Sequence, residues 1–156
     1  MQISYRIWMT ATAVVLIAVI AIAGLQIWRQ TPGEIAMIAP LDASCDLQKE
    51  PCEAVFPDGG RLVFSISPRP IEGLRTLQLQ VQAQGLDVRS VEVDFRGVGM
   101  NMGFNRPRLE RQSAGRYAGS GVLSVCIMER MTWEATVLAG TDKGILAAPF
   151  RFETLR

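Results

Sequence analysis

The chain has 156 residues, with 16 lysines and arginines against 15 aspartates and glutamates, a net charge of +1 and no histidine. That length holds one ordinary domain plus an appendage, and the near-neutral charge lacks the basic face a nucleic-acid partner requires. Without histidine there is no Ser-His-Asp or Cys-His machinery, no His-ligated zinc and no His-based copper(II) site, so the chain is read as a non-enzyme.

The first element is apolar. Ile7 to Trp28 carry no charge and are bracketed by Arg6 and Arg29. As a helix this stretch is about 33 Å long, enough to cross a hydrocarbon core of roughly 30 Å. Trp8 and Trp28 sit where interfacial aromatic anchors belong. Residues 1–29 are therefore expected to be a membrane anchor. The alternative is a signal peptide, with Ala11 to Ile20 as its apolar core and Ala21-Ile22-Ala23 as the cleavage site. The run continues past that site, which favours retention. One arginine on each side leaves orientation nearly balanced. The short N-terminal tail and the downstream cysteines favour a single-pass protein of the bacterial inner membrane, its C-terminal domain in the periplasm.

Residues 30–57 read as linker and domain entry, with Pro32, Gly33, Pro40, Pro51 and Pro57 and a short strand candidate at Ile35–Ile38. Cys45 and Cys52 are seven apart. In an oxidising compartment they are expected to pair with each other and pin the entry, leaving Cys126 as the odd thiol. A metal-binding use of that pair has nothing nearby to complete it.

From residue 58 to 156 the apolar period is two. Leu62, Phe64 and Ile66 alternate with polar neighbours until Pro68 and Pro70. Leu77 to Gln84 is an apolar/Gln alternation ended by Gly85. From Val88 to Phe95, Val91, Val93 and Phe95 point inward and Glu92, Asp94 and Arg96 outward. Tyr117 to Ile127, Thr132 to Ala139 and Ile145 to Phe152 complete the set. Six or seven short strands at roughly ten-residue spacing, with no helical period after Trp28, predict an all-β fold: an immunoglobulin-like antiparallel β-sandwich behind a single transmembrane helix.

Chemistry concentrates between Val98 and Met131, where Met100, Met102, Cys126, Met128 and Met131 fall close together. In extended backbone, residues two apart share a side, which would group Met100 with Met102 and Cys126 with Met128. Thioether and thiolate sulfurs select Cu(I) over harder divalent ions, and Gly99 and Gly103 frame the first pair on a loop. The competing use is apolar packing, methionine's ordinary role. Trp133 reads as a core or rim aromatic. Arg106, Arg108, Arg111 and Arg116 form a basic cluster suited to a surface or partner contact. No glycine-rich phosphate loop opens a helix.

Met100-Asn101-Met102-Gly103 before Asn105-Arg106-Pro107, then Gly115-Arg116-Tyr117-Ala118-Gly119 leading to Leu123–Cys126 and Trp133-Glu134-Ala135, resemble small bacterial envelope proteins of the FixH-like and YtkA-like group. The resemblance covers roughly Arg61 to Phe152. It implies copper supply to, or assembly of, a haem–copper oxidase, with the oxidase or another copper carrier as partner. The alternative is a metal-free accessory module of a membrane complex.

Overall fold

The computed structural model describes residues 14–24, 34–124 and 130–155 of the chain. It divides into two units, Met1–Gly33 and Glu34–Arg156. In the first, residues 14–24 form a helix whose valines, leucine and isoleucines are exposed. Among the described residues no helix is long and apolar enough to cross a membrane. The rest of the expected span, with Trp8 and Trp28, lies outside them.

The second unit is all-β: β1 (Ile35–Ile38), β2 (Cys52–Val55), β3 (Arg61–Ser67), β4 (Thr76–Gln84), β5 (Ser90–Gly97), β6 (Arg108–Ser113), β7 (Arg116–Val122), β8 (Arg130–Thr141) and β9 (Gly144–Leu155). The spatial order is β1-β9-β8-β5-β6-β7-β4-β3-β2, one sheet curled into a sandwich-like half-barrel. The strand joining its two layers is β6. Leu109 and Arg108 pair with Val91 and Glu92 of β5, while Glu110 and Arg111 pair with Ala118 and Tyr117 of β7. All pairings are antiparallel except β1 with β9, which is parallel.

The two-residue alternation accounts for the core. Leu62, Phe64 and Ile66 on β3 and Leu77, Leu79 and Val81 on β4 are buried from one layer; Val91, Val93 and Phe95 on β5 and Trp133, Ala135 and Val137 on β8 from the other. The layers meet where the Phe64 and Phe150 rings lie 5.5 Å apart. Burying each such side chain contributes about 1.5–3 kcal/mol, so this alternation dominates the energetics.

Cys45 and Cys52 form the expected disulfide. With Cys52 at the start of β2 and β1 paired along β9, the domain entry supplies two strands to the unit. The sequence pattern passes over β2, which is only four residues long, and β6, where Leu109 is the single buried residue. The Tyr117 strand is shorter than expected and ends at Val122.

Asp94 corrects the expected outward row on β5. It is buried. The connection after β5 folds back across that strand, with Val93 N–H donating to Pro107 O (3.0 Å) and Phe95 N–H to Asn105 O (2.9 Å). This carries Arg106 over Asp94 (3.3 Å), where Arg96 also binds (2.7 Å). Arg106 thus belongs to a partly buried ion cluster centred on Asp94, and its guanidinium lies over the Phe104 ring at 5.3 Å. Its Nε is buried with no acceptor among the described residues.

Candidate metal site

The β5–β6 connection begins with a turn. Gly99 and Gly103 both adopt positive φ, 83° and 77°, a region that side chains other than glycine rarely occupy. Asn101 Oδ1 accepts the Gly103 N–H at 2.9 Å and holds the turn closed. The segment is therefore not extended, and alternation does not govern Met100 and Met102. Met102 packs against the core, while Met100 is 39% exposed.

Met131 comes from the other side of the site, at the start of β8. Its side chain points inward with that of Trp133 and is only 5% exposed. Trp133 is a core aromatic as the sequence suggests, its indole N–H donating to Thr154 Oγ1 at 3.1 Å. Thr154 in turn lies opposite Met131 on β9.

The two methionines meet at Gly97, the last residue of β5, which pairs with Trp133. A Cβ built on Gly97 would lie 2.4 Å from Met131 Cε and 2.9 Å from Met102 Cγ, with Met100 O at 3.0 Å. Both thioether arms therefore occupy the space a side chain at Gly97 would need. A glycine here lets a loop methionine and a strand methionine reach one point, something no spacing in the sequence announces.

Cys126 and Met128 lie outside the described residues. On either side of them, Leu123 is buried and Arg130 begins β8. The structure thus brings together Met102 and Met131 and sets Met100 at the rim. Among the described residues, no group of three cysteine, aspartate or glutamate side chains could hold a metal ion. A metal at this place would rely on sulfur. Thioethers bind without losing a proton, so only a cysteine ligand would make such a site pH-dependent.

Sequence reasoning also missed a groove of about 1240 Å³ bordered by the disulfide loop, Ile71, Met131 and the end of β9. Met131 thus faces both Gly97 and this groove.

No family model matches the chain, and no curated protein matches it. The crystal structure of an engineered protein is similar over 61% of this chain and 20% of that one, at 20% identity and a TM-score of 0.39. A likeness at that level carries no argument about fold or function.

Proposed function

We propose that this is a membrane-tethered protein of the bacterial envelope that binds Cu(I) through sulfur and passes it to a haem–copper oxidase or another carrier. The observation that supports the reading is the approach of the Met102 and Met131 side chains, through Met102 Cγ and Met131 Cε, to one point over Gly97. Met100, Cys126 and Met128 complete the donor set in this reading, with Cys126 as the strongest donor through its thiolate. Soft donors of this kind hold Cu(I) and discriminate against harder ions. The fold belongs to the proposal as an immunoglobulin-like sandwich. Its tether is the apolar segment before Arg29, which raises the domain's effective concentration near an acceptor in the same membrane.

An anaerobic Cu(I) titration of the full chain in detergent, against a competing chelator, tests this. Stoichiometric binding that disappears in Cys126→Ser and in Met102→Leu/Met131→Leu supports the carrier. Affinity no greater than that of an unrelated protein refutes it.

A second reading rests on a different observation. Phe104 is 83% exposed and Leu74 is 73% exposed. Their segments converge on the end of β7, where Asn105 Nδ2 donates to Val122 O (2.8 Å) and Leu74 N–H to Leu123 O (2.9 Å). Exposed apolar side chains clustered on loops suit an accessory module that docks a membrane complex without metal. A well-folded chain that fails the copper titration favours this reading.

A further inference from the structure

The parallel ladder between β1 and β9 stops early. Ile145 N–H donates to Glu34 O, and Ala39 N–H donates to Ala147 O. The next bond would need an N–H at residue 149, which is a proline, and β1 leaves the sheet at Pro40. The continuous register of β9 against β8 then fixes the rest. Odd-numbered β9 residues turn their backbone groups away from β8, as Ile145 and Ala147 do. Past Ala147, the Pro149 carbonyl and both the N–H and carbonyl of Arg151 face away from β8, as does the Glu153 N–H. No described strand pairs with them. The Glu153 carbonyl accepts Gln48 Nε2 at 2.6 Å, and Gln48 is also bonded to Ile71 through both side-chain ends. Gln48 therefore closes the far end of an open edge.

Residues 151–154 of that edge line the 1240 Å³ groove together with the disulfide loop, and Pro149 lies just outside the lining. Four main-chain groups in the order C=O, N–H, C=O, N–H match two residues, i and i+2, of a strand running parallel to β9. Four extended residues span about 13 Å. The charges in the groove are largely paired: Lys49 with Asp46 (3.3 Å), Arg130 with Glu153 (2.6 Å), and Arg151 with Glu134 (2.9 Å). Asp42 is different. Its carboxylate accepts hydrogen bonds from Ser44, at N and Oγ, and from the Cys45 backbone, and has no ion-pair partner among the described residues.

We infer that this groove binds an extended peptide from a partner protein, which adds a short parallel strand to β9 and places a lysine or arginine near Asp42. Such β-addition draws affinity from main-chain hydrogen bonds and specificity from alternate side chains. Although Met131 borders both places, this inference does not rest on copper binding, and either stands if the other fails.

The test uses the full chain in detergent with two blocked probes, acetyl-Thr-Val-Lys-Val-Thr-amide and its Lys-to-Glu counterpart. The lysine peptide is expected to bind about fivefold tighter or more, a preference that Asp42→Asn removes. Arg151→Pro deletes the central donor of the open edge at a position whose N–H does not bond β8, as at Pro149. It should weaken binding about tenfold or more, while Arg151→Ala, which keeps that N–H, stays within about twofold. Should Arg151→Pro fail to fold, amide exchange in the wild type decides. The peptide is expected to slow the Arg151 and Glu153 amides and to leave Phe152 and Thr154, which bond β8, unchanged. Absence of saturable binding, equal binding by Arg151→Pro, or unaltered exchange at Arg151 and Glu153 overturns the inference. A glutamate peptide that binds as tightly overturns the assignment of a basic ligand. Dimerisation that protects the same two amides without peptide gives the edge to a second copy and overturns it too.

Discussion

Gly97→Ala probes the place where Met102 and Met131 meet. The added methyl would sit 2.4 Å from Met131 Cε and 2.9 Å from Met102 Cγ, well inside van der Waals contact, and 3.0 Å from the Met100 carbonyl. Methionine side chains can move aside, but Met131 is confined beside Trp133 and the carbonyl belongs to a closed turn. Overpacking of this kind costs about 1–3 kcal/mol. Replacing a strand glycine with alanine returns about 0.5–1 kcal/mol of backbone entropy. The expected net loss is about 1–2 kcal/mol. The diagnostic is the double mutant. Met131→Ala alone should cost about 2–5 kcal/mol through its cavity. In Gly97→Ala/Met131→Ala the new methyl moves into space that Met131 has vacated. The pair should then be less destabilising than the sum of the singles by about 1–2 kcal/mol. Urea unfolding can follow this through Trp133 fluorescence once Trp8 and Trp28 are replaced by Phe. Additivity within about 0.5 kcal/mol would mean that Met131 does not occupy the space over Gly97, and the proposed site would lose its geometry.

Three further outcomes are expected. Cys45→Ala/Cys52→Ala should lower stability by about 2 kcal/mol in urea unfolding, the chain-entropy value for so short a loop; no change on removing the disulfide would mean that buried Leu47 and the Gln48 and Arg69 hydrogen bonds hold the loop without it. Asp94→Ala leaves Arg106 largely buried without its counter-charge and should cost about 2 kcal/mol, less than a fully buried pair because Arg106 retains some solvent; adding Arg106→Met should recover much of that loss, and failure to do so would show that the ion cluster is not the cause. Hydrogen bonds from Ser44, first the hydroxyl and then the N–H, hold the Asp42 carboxyl below its ordinary value. Because the shift is downward, the turn is held in full above the ordinary carboxylate range and loosens as pH falls through the lowered value. Exchange of the Ser44 amide should therefore accelerate in acid beyond its intrinsic pH dependence, and Asp42→Asn should abolish that excess.

How much of this was legible in advance differs element by element. Alternation on β3, β4, β5 and β8 marks which residues are buried, because a strand with one face on a core has no other way to place its apolar side chains. The Cys45–Cys52 pairing follows from the short spacing of the two cysteines. By contrast, β6 carries one buried residue and β2 is very short, so neither holds enough pattern to be seen. Asp94 looks solvated on its strand because the residues that cover it, Arg106 and its neighbours, arrive through a loop whose path no period encodes.

The candidate site divides along the same line. Composition alone dictates that any metal site in this histidine-free chain rests on sulfur, oxygen or backbone donors, and the sequence names the sulfurs. It does not say which of them meet. Met100 and Met102 part company because two glycines with positive φ turn the chain between β5 and β6. Met102 instead joins Met131, a contact made possible by the missing side chain at Gly97. The open edge of β9 is of the same kind. Pro149 is visible in the sequence, but its missing N–H ends a ladder only because β1 lies beside β9 in parallel, and that neighbour is chosen by tertiary packing.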